Sequence, residues 1–410
     1  MTAVVFYFQV HQPYRLRKYS FFDIGASDDY FEDSENERIV RRVAERCYVP
    51  MNELLLRVIE RTEGAFRCSF SVSGTALRQM EDWAPEALDS FVKLAETDCV
   101  EFLCETSHHS LASQADPLEF ERQVEDQRGR ITRLFGKRPT TFRNTELVID
   151  ERVAVRVERL GFDTLLGEGA DRLLAGRSPH VAYRVAGARR LKLLLRDYKF
   201  SDDVAFRFSN RTWEHYPLLA DTFAGWLHRV PEETEFIGLF MDYETFGEHQ
   251  DESTGVLEFM DRLPEYVLDD PRFRFATPGA VAAECRPADE LRIPGPVSWA
   301  DAERDLTAWL GNHMQRAAHA ALYELGDGVR RAARAGREDL LATWRKLTTS
   351  DHVYYMCTKF LSSDGDVHEY FCPYESPHDA FIRFMNVVED LSIRVARALS
   401  EPVPSPPSKK

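Results

Sequence analysis

Short apolar runs that each stop at titratable residues recur over almost 300 residues of this chain, separated by longer segments with helical spacing. The runs are Val4–Val10, Phe66–Val72, Val100–Cys104, Thr141–Thr145, Thr164–Leu166, Leu191–Leu195, Phe236–Met241 and Phe273–Ala276. Runs of this length and composition read as buried strands. Between them, Glu37–Arg61 carries Val43, Cys47, Leu54, Leu55 and Val58 at helical spacing, with Pro50 placed to kink or split the helix. Pro85–Thr97 and Glu119–Phe135 have the same spacing. Alternation of this kind predicts a parallel α/β architecture.

The residues at the ends of the runs are the second constraint. His11-Gln12-Pro13 follows the first run, and Glu105, His108 and His109 follow the third. Glu146, Glu168 and Asp197 follow the fourth, fifth and sixth, and Asp242 with Glu244 follows the seventh. In an α/β barrel or a doubly wound sheet the C-terminal strand ends form the face on which a site is built. No Gly-rich phosphate loop follows any run, which disfavours nucleotide binding. From about Val297 the strand signal stops, and Ala302–Glu324, Gly328–Ala333, Glu338–Ser350 and Pro377–Leu399 read as helices. The expected organisation is an α/β region over 1–296, a helical region over 297–400 and a disordered, Pro-rich tail over 401–410.

Charge narrows the partners. The formal net charge is −16, from 52 basic and 68 acidic residues, which argues against nucleic-acid binding and suits a neutral ligand. The seven Cys are widely spaced with no CxxC, so reduced, buried thiols are expected rather than a disulfide framework or a zinc cluster. No run reaches the roughly 18 apolar residues of a membrane span. The chain opens directly on the strand-like Val4–Phe8, and a cytoplasmic location is expected.

Two stretches carry acid–base chemistry. Asp242 and Glu244 are two apart, and on an extended segment their side chains point the same way. The plain alternative is a solvated acidic loop. In Phe142-Arg143-Asn144-Thr145-Glu146, the neighbouring Arg143 would keep Glu146 ionised, as a nucleophile requires, unless the two form only a structural ion pair. Carboxylates from two strand ends can meet the roughly 5–5.5 Å separation of a retaining glycosidase. His11, His108 and His109 beside these acids also suit a metal site, although no HxH or HxxxH occurs. Asp305, Trp309 and Asn312 or His313 fall on one face of the expected helix, where an acid and an indole could bind a sugar. A core role is the alternative for Trp309.

With these residues in view the chain resembles glycoside hydrolase family 57, the family of α-amylase-type and 4-α-glucanotransferase enzymes. Five blocks occur in the family's order: His11-Gln12-Pro13, Val100–His109, Phe142–Glu146, Met241–His249 and Asp305–Asn312. The resemblance runs from Phe6 to about Leu391. It implies an incomplete (β/α)7 TIM-like barrel followed by a C-terminal helical domain that contributes to the site. It implies a retaining mechanism on α-1,4-glucans or malto-oligosaccharides, with no cofactor and no metal. Glu146 matches the nucleophile and Asp242 the acid/base; His11, His109, Glu244, Asp305 and Trp309 match substrate-binding positions. Glu244 is expected to hold the sugar and to raise the pKa of Asp242. The chain departs from the family pattern at Gln9, where a His is common, at Ser107 and His108, where Tyr is usual, and at Ile149, often a Tyr. The competing readings are a non-catalytic glucan-binding homologue and a metal-dependent hydrolase of the polysaccharide deacetylase type.

Overall fold

The computed structural model describes residues 1–359, 368 and 370–400, so the expected tail at 401–410 lies outside the described residues. The chain forms two compact units. The first comprises Met1–Gln12, Glu37–Ser107 and Glu121–Ala300; the second comprises Pro13–Asn36, His108–Phe120 and the described residues from Asp301 onward.

All the described strands lie in the first unit: β1 (Thr2–Val10), β2 (Cys68–Val72), β3 (Val100–Phe102), β4 (Thr141–Arg143), β5 (Thr164–Glu168), β6 (Tyr183–Val185), β7 (Lys192–Arg196), β8 (Phe236–Asp242), β9 (Phe273–Phe275) and β10 (Asp289–Leu291). The eight apolar runs all contain strands. β6 and β10 escaped the sequence reading because each is three residues long and partly exposed, too short and too polar to register as an apolar run.

β1 is the centre of the first sheet. It pairs in parallel with β2, Phe6 opposite Cys68 through Val10 opposite Val72, and on its other side with β8, Ala3 opposite Phe236 through Gln9 opposite Asp242. β3 continues beyond β2, and β9 pairs with the start of β1. The second sheet has the order β10-β6-β7-β5-β4, parallel except between β6 and β7. Main-chain hydrogen bonds link the sheets: Cys104 N–H donates to Thr141 O (3.0 Å), Arg143 N–H to Cys104 O (2.9 Å) and Asp197 N–H to Gly238 O (2.8 Å).

Every residue of β1 is buried, as a parallel strand covered on both faces requires. Its side chains alternate between two cores. Val4, Phe6, Phe8 and Val10 pack with Phe66, Phe70 and the helices, whereas Ala3, Val5 and Tyr7 pack with Leu103, Leu166, Leu194, Phe236 and Phe240. Pro50 distorts the long helical run over 33–61 without breaking it. Helix Asp33–Val43 widens into a π-type segment over Ala44–Tyr48, and the α-helical pattern resumes over Val49–Arg61 at Pro50, where the wider turn accommodates the missing N–H.

In the second unit the helices include Thr307–Leu310, His313–Glu324, Gly326–Arg334, Glu338–Leu347 and Pro377–Ser400. Trp344 is fully buried there, its Nε1–H donating to Leu322 O (2.8 Å). The single helix expected over Ala302–Glu324 is not formed. Residues 301–306 are turns, and a capping box starts a new helix after Asn312. Asn312 Oδ1 accepts from Gln315 N–H (2.9 Å) while Gln315 Oε1 accepts from Asn312 N–H (3.1 Å), which satisfies the start of a helix and so breaks continuity with Thr307–Leu310. Among the described residues no helix is long and apolar enough to cross a membrane. All seven cysteines are unbridged, five buried and two partly so.

Candidate active site

β8 ends at Asp242, and the chain then closes into a 3-10 turn over Tyr243–Thr245. The extended geometry expected for Asp242 and Glu244 is therefore absent. The buried Tyr243 causes the turn: its hydroxyl donates to Asn52 Oδ1 (2.6 Å) and its ring packs edge-on to Phe70, drawing the backbone inward. Glu244 follows it into the interior, where Oε1 accepts from His11 N–H (3.3 Å) and from the Tyr48 hydroxyl. Burial pushes the Glu244 carboxyl up to about 8, and the charge of Asp242 pushes in the same direction. Glu244 thus holds a proton at neutral pH.

Glu146 lies in a 3-10 turn, Thr145–Leu147, beyond β4. It has φ 58° and Leu147 has φ 51°, both in the left-handed region that non-glycine residues avoid. The turn is braced locally. Asn144 Nδ2–H donates to Val148 O (2.8 Å), and Thr106 and Thr145 hydroxyls meet at 2.9 Å. Ile149 and Val297 form an antiparallel bridge, which sets Trp299 beside Glu146. The indole Nε1–H donates to Glu146 Oε2 (2.8 Å).

Arg143 makes no ion pair with Glu146, so the structural ion pair that was the alternative for these two residues is absent. Its guanidinium is fully buried, lies 4.7 Å from the centre of the Trp299 ring, and none of its three nitrogens meets a hydrogen-bond acceptor among the described residues. Trp299 had no signal in the sequence. It stands in a short aperiodic stretch, Ser298-Trp299-Ala300, and only the Ile149–Val297 bridge reveals what it touches.

A polar network lines the ends of β1, β2 and β3. Gln9, where the family commonly has His, donates through Nε2–H to Glu105 Oε1 (2.9 Å) and accepts at Oε1 from the Tyr7 (2.7 Å) and Ser71 (2.8 Å) hydroxyls. His11 Nδ1 meets Ser73 Oγ at 2.7 Å and Thr75 Oγ1 at 3.4 Å, which orients the ring. Two other strand-end acids are structural. Glu168 pairs with the buried Arg196 (3.2 Å), which also binds Asp202 and Phe240 O, and Asp197 pairs with His180 (2.7 Å) and accepts from Phe200 N–H.

The first unit thus holds His11, Glu146, Asp242 and Glu244, and His109, Asp305 and Trp309 belong to the second. His109 is buried in a turn at φ 48°, with its carbonyl accepting from Ser350 N–H (2.9 Å). Asp305 is not on a helical face with Trp309: it precedes the helix, and Oδ1 accepts from Thr307 N–H (2.8 Å) and Oγ1–H (2.6 Å). Trp309 is 2% exposed, its ring centre 6.0 Å from that of Tyr354. Among the described residues no three His, Cys, Asp or Glu side chains are grouped to hold a metal ion.

The model of glycosyl hydrolase family 57 matches residues 5–294. A protein of Methanocaldococcus jannaschii named "Putative alpha-amylase" is 35% identical over 411 residues, covering 97% of this chain and 86% of its own length. Among solved structures, the branching enzyme of Pyrococcus horikoshii superposes with a TM-score of 0.65 at 13% identity, covering 99% of this chain and 98% of that one. The 4-alpha-glucanotransferase of Thermococcus litoralis also gives 0.65, at 14% identity; it covers 86% of this chain, which spans only 56% of its length. The chain belongs to glycosyl hydrolase family 57 and is an enzyme of glycosidic bonds, a glycoside hydrolase or transferase.

Proposed function

We propose that the enzyme cleaves α-1,4-linkages of α-glucans or malto-oligosaccharides with retention of configuration, passing the glycosyl group to water or to a sugar hydroxyl. The observation that carries this reading is a difference between two acidic strand ends of one unit. Glu146 accepts a hydrogen bond from Trp299, which favours its ionised form, while Glu244, beside Asp242, is buried and keeps its own proton to about pH 8. A retaining glycosidase needs an ionised nucleophile and a proton donor of this kind. The names of the M. jannaschii and T. litoralis proteins point to the same substrate class.

In the first step Glu146 attacks the anomeric carbon as its bond to the glycosidic oxygen breaks. The departing oxygen takes its proton from Asp242. In the second step a water or sugar hydroxyl attacks that carbon, its proton passes to Asp242, and the bond to Glu146 breaks. His11 is oriented for a sugar hydroxyl, and His109, Asp305 and Trp309 are proposed as glucan contacts on the second unit. For the scaffold we propose an incomplete (β/α)7 barrel of β1, β2, β3, β4, β5, β7 and β8. The Cys104–Thr141 and Asp197–Gly238 links support closure at the two places where the sheets meet.

The test is incubation with maltoheptaose and separation of the products. Shorter products alone mean hydrolysis, a ladder of longer and shorter ones means transfer, and new α-1,6 linkages mean branching. Glu146→Gln and Asp242→Asn are each expected to lose most turnover while folding normally. Near wild-type turnover of Glu146→Gln would overturn the nucleophile assignment.

A further inference from the structure

We infer that Trp299 is the positioning residue for the Glu146 carboxylate, with Arg143 held against its indole as the positive charge behind it. The inference rests on Glu146 being the nucleophile. Trp299 holds Glu146 at two points 153 residues away in sequence: the indole Nε1–H donates to Oε2 at 2.8 Å, and the main-chain N–H reaches the Glu146 carbonyl at 3.4 Å. The Ile149–Val297 bridge, with both main-chain bonds at 2.9 Å, clamps the segments that carry the two residues. The bridge fixes the main chain two residues before Trp299.

Arg143 explains why the residue is a Trp rather than another donor. Two guanidiniums face this one ring, Arg143 at 4.7 Å and Arg196 at 5.8 Å. Arg196 is already neutralised by Glu168 and Asp202. Arg143 is fully buried with no acceptor on any nitrogen among the described residues, and a buried cation persists only where something compensates it. The indole face supplies part of that compensation. In return the cation polarises the ring and makes Nε1–H a stronger donor toward Glu146. The cation acts on the carboxylate by polarising the indole between them, with no direct ion pair.

The indole N–H donates to Oε2 of the carboxylate. Removing the donor weakens the ionised carboxylate more than it weakens sugar binding, so the effect falls on kcat and on the acid limb of the pH profile.

The experiment compares wild type, Trp299→Phe, Trp299→His and Arg143→Met on maltoheptaose across pH, with Glu146→Ala plus azide as reference. Trp299→Phe keeps a ring against Arg143 and removes the donor. Its kcat is expected to fall roughly 10- to 100-fold, KM to change less than about twofold, and the acid limb to move up by about half a unit to one unit. Trp299→His, which restores an N–H, recovers part of the rate. Arg143→Met raises the acid limb with the indole in place, and this variant carries the test alone if Trp299→Phe does not fold. An acid limb that stays at its wild-type position in both variants, with kcat falling only in step with thermal stability, overturns the inference and makes Trp299 structural. Azide separates this from failure of the underlying reading. Rescue of Glu146→Ala with formation of a β-glycosyl azide upholds the nucleophile whatever Trp299 does, and absence of rescue overturns both.

Discussion

The proton on Glu244 gives a stability signature that can be worked out in advance. Glu244 is 5% exposed and its carboxyl is pushed from 4.5 up to about 8, first by burial and then by Asp242. In the unfolded chain it titrates near its ordinary value. Between about pH 4.5 and 8 the folded protein therefore holds a proton that the unfolded chain has released. Its contribution to stability is fully present below the unfolded pKa and is lost as pH rises through the folded one. Each unit of that window is worth about 1.4 kcal/mol, or on the order of 4–5 kcal/mol across it. Glu244→Gln keeps an Oε1 that accepts from Tyr48 and His11 and has no proton to lose. Measured by calorimetry from pH 4.5 to 9, the variant and wild type should unfold at similar temperatures at pH 4.5. The variant should then gain steadily on wild type and level off above pH 8, ahead by roughly 5–10 °C. A difference that stays constant over the whole range would show that Glu244 is ionised in the folded protein and would refute the reasoning.

Arg196→Met removes the guanidinium that donates to Glu168, Asp202 and Phe240 O, and should cost about 3–5 kcal/mol by leaving Glu168 buried without its cation. Chemical denaturation of Arg196→Met alone and combined with Glu168→Gln checks this; the second substitution should recover more than about 1 kcal/mol. Gly247→Ala should destabilise by about 2–4 kcal/mol, because φ is +113° and an added Cβ would run into the Arg46 carbonyl. A thermal midpoint within 1 °C of wild type would contradict that.

The chain's architecture was legible where it is periodic. The eight apolar runs contain strands that are buried along most of their length, and β1 divides its side chains between two cores by simple alternation. The composition of the second unit was not legible. It takes in residues 13–36 and 108–120. The pairs that fix those segments, Tyr30 with Asp390, Arg345 with Glu119 and Arg330 with Asp116, join residues more than 200 positions apart. No local pattern encodes such pairing. At the site, residue types were readable and geometry was not. Glu146, Asp242 and Glu244 announce themselves as acids after strands, but the turns that orient them depend on Tyr243 finding Asn52 and on Val297 finding Ile149.

The clearest case is the backbone at Glu146. Consecutive non-glycine residues at φ 58° and 51° cost about 1–2 kcal/mol each, and nothing in Thr145-Glu146-Leu147 favours the left-handed region. A strained residue kept in this conformation points to a functional demand on its side chain. Glu146→Gly and Glu146→Ala separate strain from chemistry, since both delete the carboxylate and differ only in Cβ. At an ordinary position Ala is the more stable of the two by roughly 0.5–1 kcal/mol, because glycine loses more chain entropy on folding. At φ 58° the order should invert, with Gly more stable by about 1 kcal/mol, while both variants are inactive. Denaturant midpoints with equal slopes decide it. If Ala equals or exceeds Gly, the turn carries no strain at Glu146, and the backbone gives no support to a catalytic role for that residue.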